Sequence, residues 1–376
     1  MDQYSPGLAG VPATRSKISW IDGKKGILEY RGIPINILAE KSHFIEVAYF
    51  LLFGALPTAS QLTQFDLDLR IHRRIKYKIV DLIKCLPDNG HPMDALQAAV
   101  AALGMFYPDK NVQDKATQYL SAVRLMAKVP TIIAAYARLR RGDDIVLPRD
   151  DLNYAENFIY MLTEKVPDTV AAEILDVCLI LHAEHTMNAS TFSGLVTAST
   201  LTDPYTVVSS AVGTLKGPLH GGANEKVLIM LNEIGSIENV RPYIEGKVFA
   251  GEKIMGLGHR EYKVKDPRAV ILQRLSKKLF DHVGKSPLYE IAVEVERTGE
   301  MLLASKGVYA NIDFYSGILY QRMGIEPDFF TPIFAMARVV GWLAHWIEQL
   351  QDNHIFRPTE IYEGEHDIKY IPISER

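Results

Sequence analysis

IFAMARVVGWLAHWI, residues Ile333–Ile347, decides the fold class of this chain. It lies in a longer stretch, Pro332–Gln351, that reads as one long apolar helix, and between Ile333 and Ile347 it holds a single certain charge, Arg338, with His345 two turns on. Working outward, the same helical spacing of apolar residues recurs in Ile45–Phe53, Ala59–Cys85, Met93–Met105, Asp114–Arg140, Leu152–Thr163, Thr169–His185 and Thr206–Leu215. Turn residues punctuate these stretches, as in Leu86–Gly90 and Val166-Pro167-Asp168. Strand signals are confined to residues 17–35, where KISWID and GILEYRGIPI flank a turn at Asp22-Gly23. No repeat of 20–50 residues is present. Near residue 217 the chain becomes richer in Gly and Lys, and its helices are expected to shorten, until about residue 320. The expectation is a mainly all-α protein with a small N-terminal β element. A large helical domain (1–220 and 322–376) would hold a smaller inserted helical domain (221–321).

Composition narrows the function. At 376 residues the chain is long enough for two domains. It is 48% hydrophobic and 23% charged, which suits a globular protein. With 41 basic against 45 acidic residues the net charge is −4, so a general nucleic-acid or membrane-surface role has no support and an anionic ligand must be met by a local cluster. Cys85 and Cys178 lie in apolar helical patterns without metal spacing, which predicts buried, reduced thiols. The N-terminus reads as neither a signal nor a transit peptide. The most apolar stretch after it, Val170–His185, is interrupted by Glu173, Asp176 and Glu184 and so reads as a core helix. The expected location is cytoplasmic.

Three distant segments carry the chemistry: GPLHGGAN (Gly217–Asn224), MGLGHREYKVKDPR (Met255–Arg268) and NIDFYSG (Asn311–Gly317). Each sets one titratable group, His220, His259 or Asp313, among glycines, aromatics and apolar residues, where limited solvent shifts pKa values. His220 sits in a glycine turn feeding a helix, where unpaired N–H groups and the helix dipole disfavour imidazolium. A neutral imidazole there can polarise a carbonyl; the alternative is a histidine that simply packs in a turn. Around His259, residues Lys247–Arg268 hold six basic against three acidic residues, with Gly251, Gly256 and Gly258 allowing close approach, which suits a phosphorylated ligand. The GLG lacks a third glycine and a preceding strand, so a dinucleotide fold is unsupported. Asp313 either caps its helix or is desolvated by Tyr309, Phe314 and Tyr315 into a useful base. Arg338 must meet an anion, internal or ligand-borne, since stranding a buried charge costs several kcal/mol. Arg357 is a second candidate. His182 and His185 stand three apart, but no third ligand is near and the glutamate lies between them, so no metal site is expected.

In order along the chain, PGLAGVPATRSKISWIDGKKGILEYRG, HPMDALQAAVAAL, LHAEHTMNASTF, GPLHGGAN, GHREYKVKDPRA, NIDFYSG, FAMARVVGWLAHWIEQ and RPTEIY resemble segments of the citrate synthases. The length resembles the short dimeric archaeal and bacterial forms. The resemblance implies a nearly all-helical homodimer that condenses acetyl-CoA with oxaloacetate and hydrolyses citryl-CoA. By the same resemblance Asp313 takes a methyl proton from acetyl-CoA, His220 stabilises the enol or enolate, and His259 donates to the ketone of oxaloacetate. His185, His220, His259, Arg268, Arg338 and Arg357 would hold oxaloacetate, with Arg357 reaching in from the partner subunit. Lys253, Ile254, Met255, Gly256, Leu257 and Lys263 would meet CoA, together with Lys306 and Asn311. CoA thioester is substrate, so no cofactor is implied. Two rivals share the motifs or the fold: a 2-methylcitrate synthase using propionyl-CoA, since one methylene is worth only about 1–3 kcal/mol in a pocket, and a non-catalytic CoA-binding protein.

Overall fold

The computed structural model describes residues 4–108, 111–284 and 286–376; residues 1–3, with which the expected large domain begins, and positions 109, 110 and 285 lie outside it. Strands β1 (Ser19–Asp22), β2 (Ile27–Tyr30) and β3 (Ile33–Pro34) form an antiparallel sheet in that order, with Ser19 opposite Tyr30 and Asp22 opposite Ile27. The β1–β2 connection is longer than a turn at Asp22-Gly23: the Asp22 carboxylate accepts the N–H groups of Lys24 and Lys25, each at 3.0 Å.

All other regular structure among the described residues is helical. The chain continues through α1 (Ile35–Lys41), α2 (Phe44–Phe53), α3 (Ala59–His72), α4 (Tyr77–Lys84) and α5 (Pro92–Leu103). Next come α6 (Lys115–Leu139), α7 (Tyr154–Thr163), α8 (Thr169–His182), α9 (Ala189–Ala198) and α10 (Pro204–Leu215). It ends with α11 (Ala223–Ile234), α12 (Ile237–Phe249), α13 (Pro267–Val283), α14 (Pro287–Leu303), α15 (Ile312–Arg322) and α16 (Phe330–Gln349). A helix apolar all round needs partners all round, and α16 has them: Phe330–Trp346 are all buried, against α2, α5, α6, α8, α9, α10 and α11.

Three expectations need correction. The stretch Ala59–Cys85 is two helices, because Lys128 Nζ of α6 takes the carbonyls of His72 (2.5 Å) and Arg74 (2.7 Å) and Thr131 Oγ1 takes that of Arg73 (2.8 Å). Those carbonyls are thereby withdrawn from the helical ladder. The helix expected to run to His185 stops at His182, leaving His185 in the turn before α9. Cys85, at the end of α4, is exposed, whereas Cys178 is buried. Lys115–Leu139 and Pro327–Gln349 are long and apolar enough to cross a membrane by length and composition, but 89% and 94% of their apolar windows lie inside the protein, as in core helices.

Helices α11 to α15 pack mainly on one another, through α11·α15, α13·α15, α11·α14 and α12·α14. They are not uniformly short, since α13 and α14 each span 17 residues. An added Cβ at Gly317 would lie 3.0 Å from Asn224 O, so glycine lets α15 lie close against α11. This group meets the rest of the fold through α1·α13, α8·α13 and α11·α16.

Candidate active site

His259 is fixed by its own turn. The main-chain N–H groups of Glu261 and Tyr262 donate to its Nδ1 at 3.0 and 3.3 Å. With Nδ1 accepting twice, the ring proton sits on Nε2. Burial, reinforced by the Arg268 guanidinium, lowers its pKa to about 4, so the imidazole is neutral near pH 7 and Nε2–H is a donor.

His220 is fixed from outside its turn. It lies three residues before α11, whose cap position is Gly222. Its Nε2 is 2.8 Å from Ser190 Oγ, and the Ser190 N–H points at the same nitrogen at 3.3 Å. A main-chain donor aimed at Nε2 leaves the proton on Nδ1. Ser190 Oγ also accepts Trp342 Nε1–H from α16 at 3.2 Å and sits 2.8 Å from Asn188 Oδ1. Burial first, and Arg338 second, lowers the His220 pKa to about 4. Neutrality was expected from the helix end; the larger cause is desolvation.

His185 and His259 meet edge to face with centroids 5.2 Å apart, and Tyr262 OH lies 3.3 Å from His185 Nε2. Burial and then Arg268 push the His185 pKa well below the usual histidine range. Two guanidiniums share this chamber. Arg268 is buried and bidentate on Asp266, Nε–Oδ1 3.0 Å and Nη2–Oδ2 2.8 Å, which leaves Nη1 outside the pair. Against the cost of its burial, the Asp266 carboxylate holds its pKa above the ordinary arginine value. Arg338 is 1% exposed and donates Nε–H to His182 O at 2.8 Å. Among the described residues no carboxylate lies within 4.0 Å of it. Burial lowers its pKa to about 10. A buried guanidinium with no close counter-ion is an anion site in waiting.

Asp313 lies in the first turn of α15, but the cap is Asn311, whose Oδ1 accepts the Asp313 N–H at 3.0 Å. The capping role considered for Asp313 therefore belongs to Asn311. Oδ1 of Asp313 is buried without a hydrogen-bond partner. Burial raises its pKa to about 6, although Arg268 pulls the other way. The result is a carboxylate that is ionised at neutral pH, poorly solvated and correspondingly basic.

Asn311 also holds the site together. Its Nδ2 donates to Gly258 O at 2.8 Å, its N–H to Gly256 O at 2.9 Å, and Gly258 N–H donates to Tyr309 O at 2.7 Å. The loop before His259 is thus fastened to the start of the Asp313 helix. Gly256, at φ +76°, slots between α11 and α15, where an added Cβ would stand 2.7 Å from Val227 Cγ2 and 2.8 Å from Phe314 Cδ2. Asp313 and His220 both feel Arg338, and Asp313 and His259 both feel Arg268.

Of the remaining expected residues, Ile254 is buried, Met255 and Leu257 are half-buried, and Lys253, Lys263 and Lys306 are exposed; Lys263 Nζ reaches Arg260 O at 3.1 Å. Arg357 is exposed, beyond a segment anchored by Asn353 Nδ2 to Ser199 O and Phe356 N to Ser199 Oγ. Sequence reading missed Ser190, Trp342, Tyr262 and Asp266. Asp266 carried a signal, because Asp-Pro at a helix start marks a cap, and it does cap α13. Glu184, discounted with the metal idea, is buried, pairs with His345 Nε2 at 3.0 Å and accepts from Ser19 Oγ at 3.0 Å. His182 donates Nδ1–H to Cys178 O at 2.7 Å and packs edge-on to Phe334.

Comparisons with known proteins point to one family. The family described as citrate synthase, C-terminal domain, matches residues 7–359. A citrate synthase of Synechocystis is 59% identical over 373 residues, covering 99% of this chain and 94% of that protein. One from Deinococcus radiodurans is 46% identical with full coverage of both. Among solved structures, the citrate synthase of Pyrobaculum aerophilum matches with a TM-score of 0.94 at 42% identity, over 99% of this chain and 95% of that one. The Thermoplasma acidophilum citrate synthase, solved as a ternary complex with carboxymethyl coenzyme A and oxaloacetate, matches with a TM-score of 0.95 at 33% identity over all of both chains. On this evidence of sequence and fold together, the chain belongs to the citrate synthase family.

Proposed function

We propose that this chain condenses acetyl-CoA with oxaloacetate and hydrolyses the resulting citryl-CoA to citrate and CoA. The observation that carries the reading is Asp313 Oδ1: a buried, unpartnered carboxylate oxygen with a pKa raised to about 6, in the same electrostatic chamber as two neutral imidazoles. A thioester α-proton is weakly acidic, so a base alone does not suffice and the oxyanion formed needs fixed donors in a dry site, each worth about 10²–10³-fold in rate.

In the proposed roles Asp313 takes the methyl proton. His220 donates Nδ1–H to the thioester oxygen as it gains charge. His259 donates Nε2–H to the ketone oxygen as the carbon–carbon bond forms. Arg338, Arg268 and His185 hold the dicarboxylate, each charge-assisted bond contributing about 1.5–3 kcal/mol. The segment Lys253–Leu257 and Lys263 would meet CoA, with Lys306 and Asn311 as further contacts, although Asn311 already has a structural task. CoA enters as substrate and the chemistry uses protein donors alone. The same reading divides the chain into a large unit (1–220, 322–376) and a small one (221–321) that close on oxaloacetate. It also makes the protein a cytoplasmic homodimer in which Arg357 completes the neighbouring site.

Thiol release from acetyl-CoA, with and without oxaloacetate, tests the reading. Oxaloacetate-dependent release supports it; none from folded protein removes it. A propionyl-CoA arm measures acyl preference through the ratio of kcat/KM values, expected to favour acetyl-CoA. Mixed dimers of an Arg357→Ala chain with an Asp313→Asn chain should regain one working site, and no recovery after verified exchange would return Arg357 to a role within its own subunit.

A further inference from the structure

Strand β1 touches the turns of two site histidines that are far apart in sequence. At its start, Ser19 Oγ donates to Glu184 Oε1 at 3.0 Å and accepts Thr186 N–H at 3.1 Å, gripping the residues on either side of His185. Its cross-strand neighbour Tyr30 strengthens that anchor: its hydroxyl lies 3.0 Å from Ile180 O and 2.9 Å from Glu184 O, and accepts Glu184 N–H at 3.2 Å. Just past its end, Gly23 O accepts Lys263 N–H at 2.9 Å. An added Cβ at Gly23 would stand 2.1 Å from Glu261 O and 2.6 Å from Glu261 C. Gly26 is similarly close, with its added Cβ 2.9 Å from Val264 Cγ2. Glu261 and Tyr262 are the residues whose N–H groups orient His259.

A strand of four residues spans about 13 Å and resists bending when paired. It thus sets the separation between the turn of His185 and the turn of His259, whose rings stand 5.2 Å apart. The two ends differ in strength. The His185 end is tied by side chains, the half-buried Ser19 hydroxyl and the buried Tyr30 and Glu184, whereas the His259 end is held by one main-chain hydrogen bond and the absence of a Cβ. Gly23 is not among the glycines with positive φ, so its backbone would accept alanine; what forbids a side chain is the approach of the Glu261 carbonyl.

We propose that the β1–β2 hairpin is a strap that positions the His259 turn against His185, with Gly23 the residue that lets it grip. The proposal rests on the reading of His259 as a donor to substrate. Gly23 and Ser19 are then positioning residues, acting through histidines they do not touch.

Gly23→Ala tests this, with the exposed neighbour variant Lys24→Ala as control. Three quantities are read: hydrogen exchange of the Lys263 amide, the midpoint of thermal unfolding, and kcat and KM for thiol release. The expected result is faster exchange at Lys263, an unmoved midpoint, and a fall of at least about 10-fold in kcat/KM carried mainly by kcat, because misplacing a reacting group by about 1 Å is that costly. Ser19→Ala should lower kcat from the opposite end of the strap while Lys24→Ala leaves it unchanged. Unchanged exchange at Lys263, or unchanged kcat in Gly23→Ala, would overturn the proposal. A lowered midpoint with normal kinetics in the folded fraction would make Gly23 a folding contact only, which also overturns it. If the parent protein releases no thiol, the functional reading fails, while exchange at Lys263 still decides whether the strap grips.

Discussion

The turns around His220 and His259 reach one chemical end by opposite means. Both imidazoles are neutral at pH 7, with pKa values lowered to about 4 chiefly by burial. His259 is oriented through Nδ1 by N–H groups two and three residues further along its own turn. His220 is oriented through Nε2 by Ser190, thirty residues earlier in the chain and itself steadied by Trp342. The free donors are therefore Nε2–H on one ring and Nδ1–H on the other. An orientation made wholly by local backbone survives side-chain substitution; one shared with a distant hydroxyl is weakened by it.

The largest effect comes from removing the base whose proton transfer creates the charge that His220 stabilises. Asp313→Asn leaves the two imidazoles and both arginines in place but provides no base for the methyl proton. Turnover should fall at least about 10²-fold with oxaloacetate affinity nearly kept. Calorimetric titration beside steady-state rates checks both halves; near-normal turnover would remove Asp313 as base and make the two-donor comparison irrelevant to enolisation.

Next in size is the asymmetry itself. Ser190→Ala removes the hydroxyl at 2.8 Å from His220 and leaves His259 untouched. A fall of about 10-fold in kcat is expected, smaller than loss of a donor outright because the Ser190 N–H still faces Nε2. Glu261→Ala and Tyr262→Phe keep the amides that hold His259, so they should preserve its tautomer. Nitrogen chemical shifts of the two rings would show it directly, and a tautomer change at His259 in either variant would break the contrast.

The same contrast explains what could be read from sequence. Glycine turns around His220 and His259 and the lone charge in the α16 segment were legible because glycine and arginine are costly in apolar surroundings unless something requires them. Helix spacing gave the all-α class for the same reason that it gave α16 its burial. Ser190 was not legible, because a serine near a helix start is an ordinary residue until the fold sets it against His220. The break between α3 and α4 was equally hidden, since it depends on Lys128 and Thr131 of another helix taking three carbonyls. The cap at α15 was equally hidden: Asp313 was the residue considered for it, whereas Asn311, two positions earlier, holds it.

A third measurement concerns pH. Asp313 must be ionised to act, and its pKa is raised to about 6, whereas both histidines become neutral already above about 4. The acid limb of kcat/KM should therefore follow one group near pH 6, falling about tenfold per unit below it. Asp313→Asn should abolish that limb in its residual activity. A limb near pH 4 in the parent protein would shift control to the histidines and place Asp313 outside the proton transfer.

The smallest effect is on stability, and its sign distinguishes base from donors. Asp313 has a folded pKa above the ordinary carboxylate value of 3.8. The folded state therefore binds its proton more tightly than the unfolded chain, and ionising it destabilises the fold progressively from about pH 4 to 6 and fully above that. The histidines run the other way: their folded values lie below 6.5, so the folded state binds fewer protons and gains stability as pH rises from about 4 to 6.5. Replacing Asp313 by asparagine removes only the first penalty. The variant should be more stable than its parent by about 1–3 kcal/mol at pH 8 and little different at pH 4. Denaturant unfolding at the two pH values checks this. A gain at pH 8 beside a loss of turnover is what a base held in a dry site must show, because the desolvation that makes the carboxylate reactive is the same desolvation that the fold must bear. Equal stability at both pH values would mean that Asp313 is better solvated than its unpartnered oxygen implies.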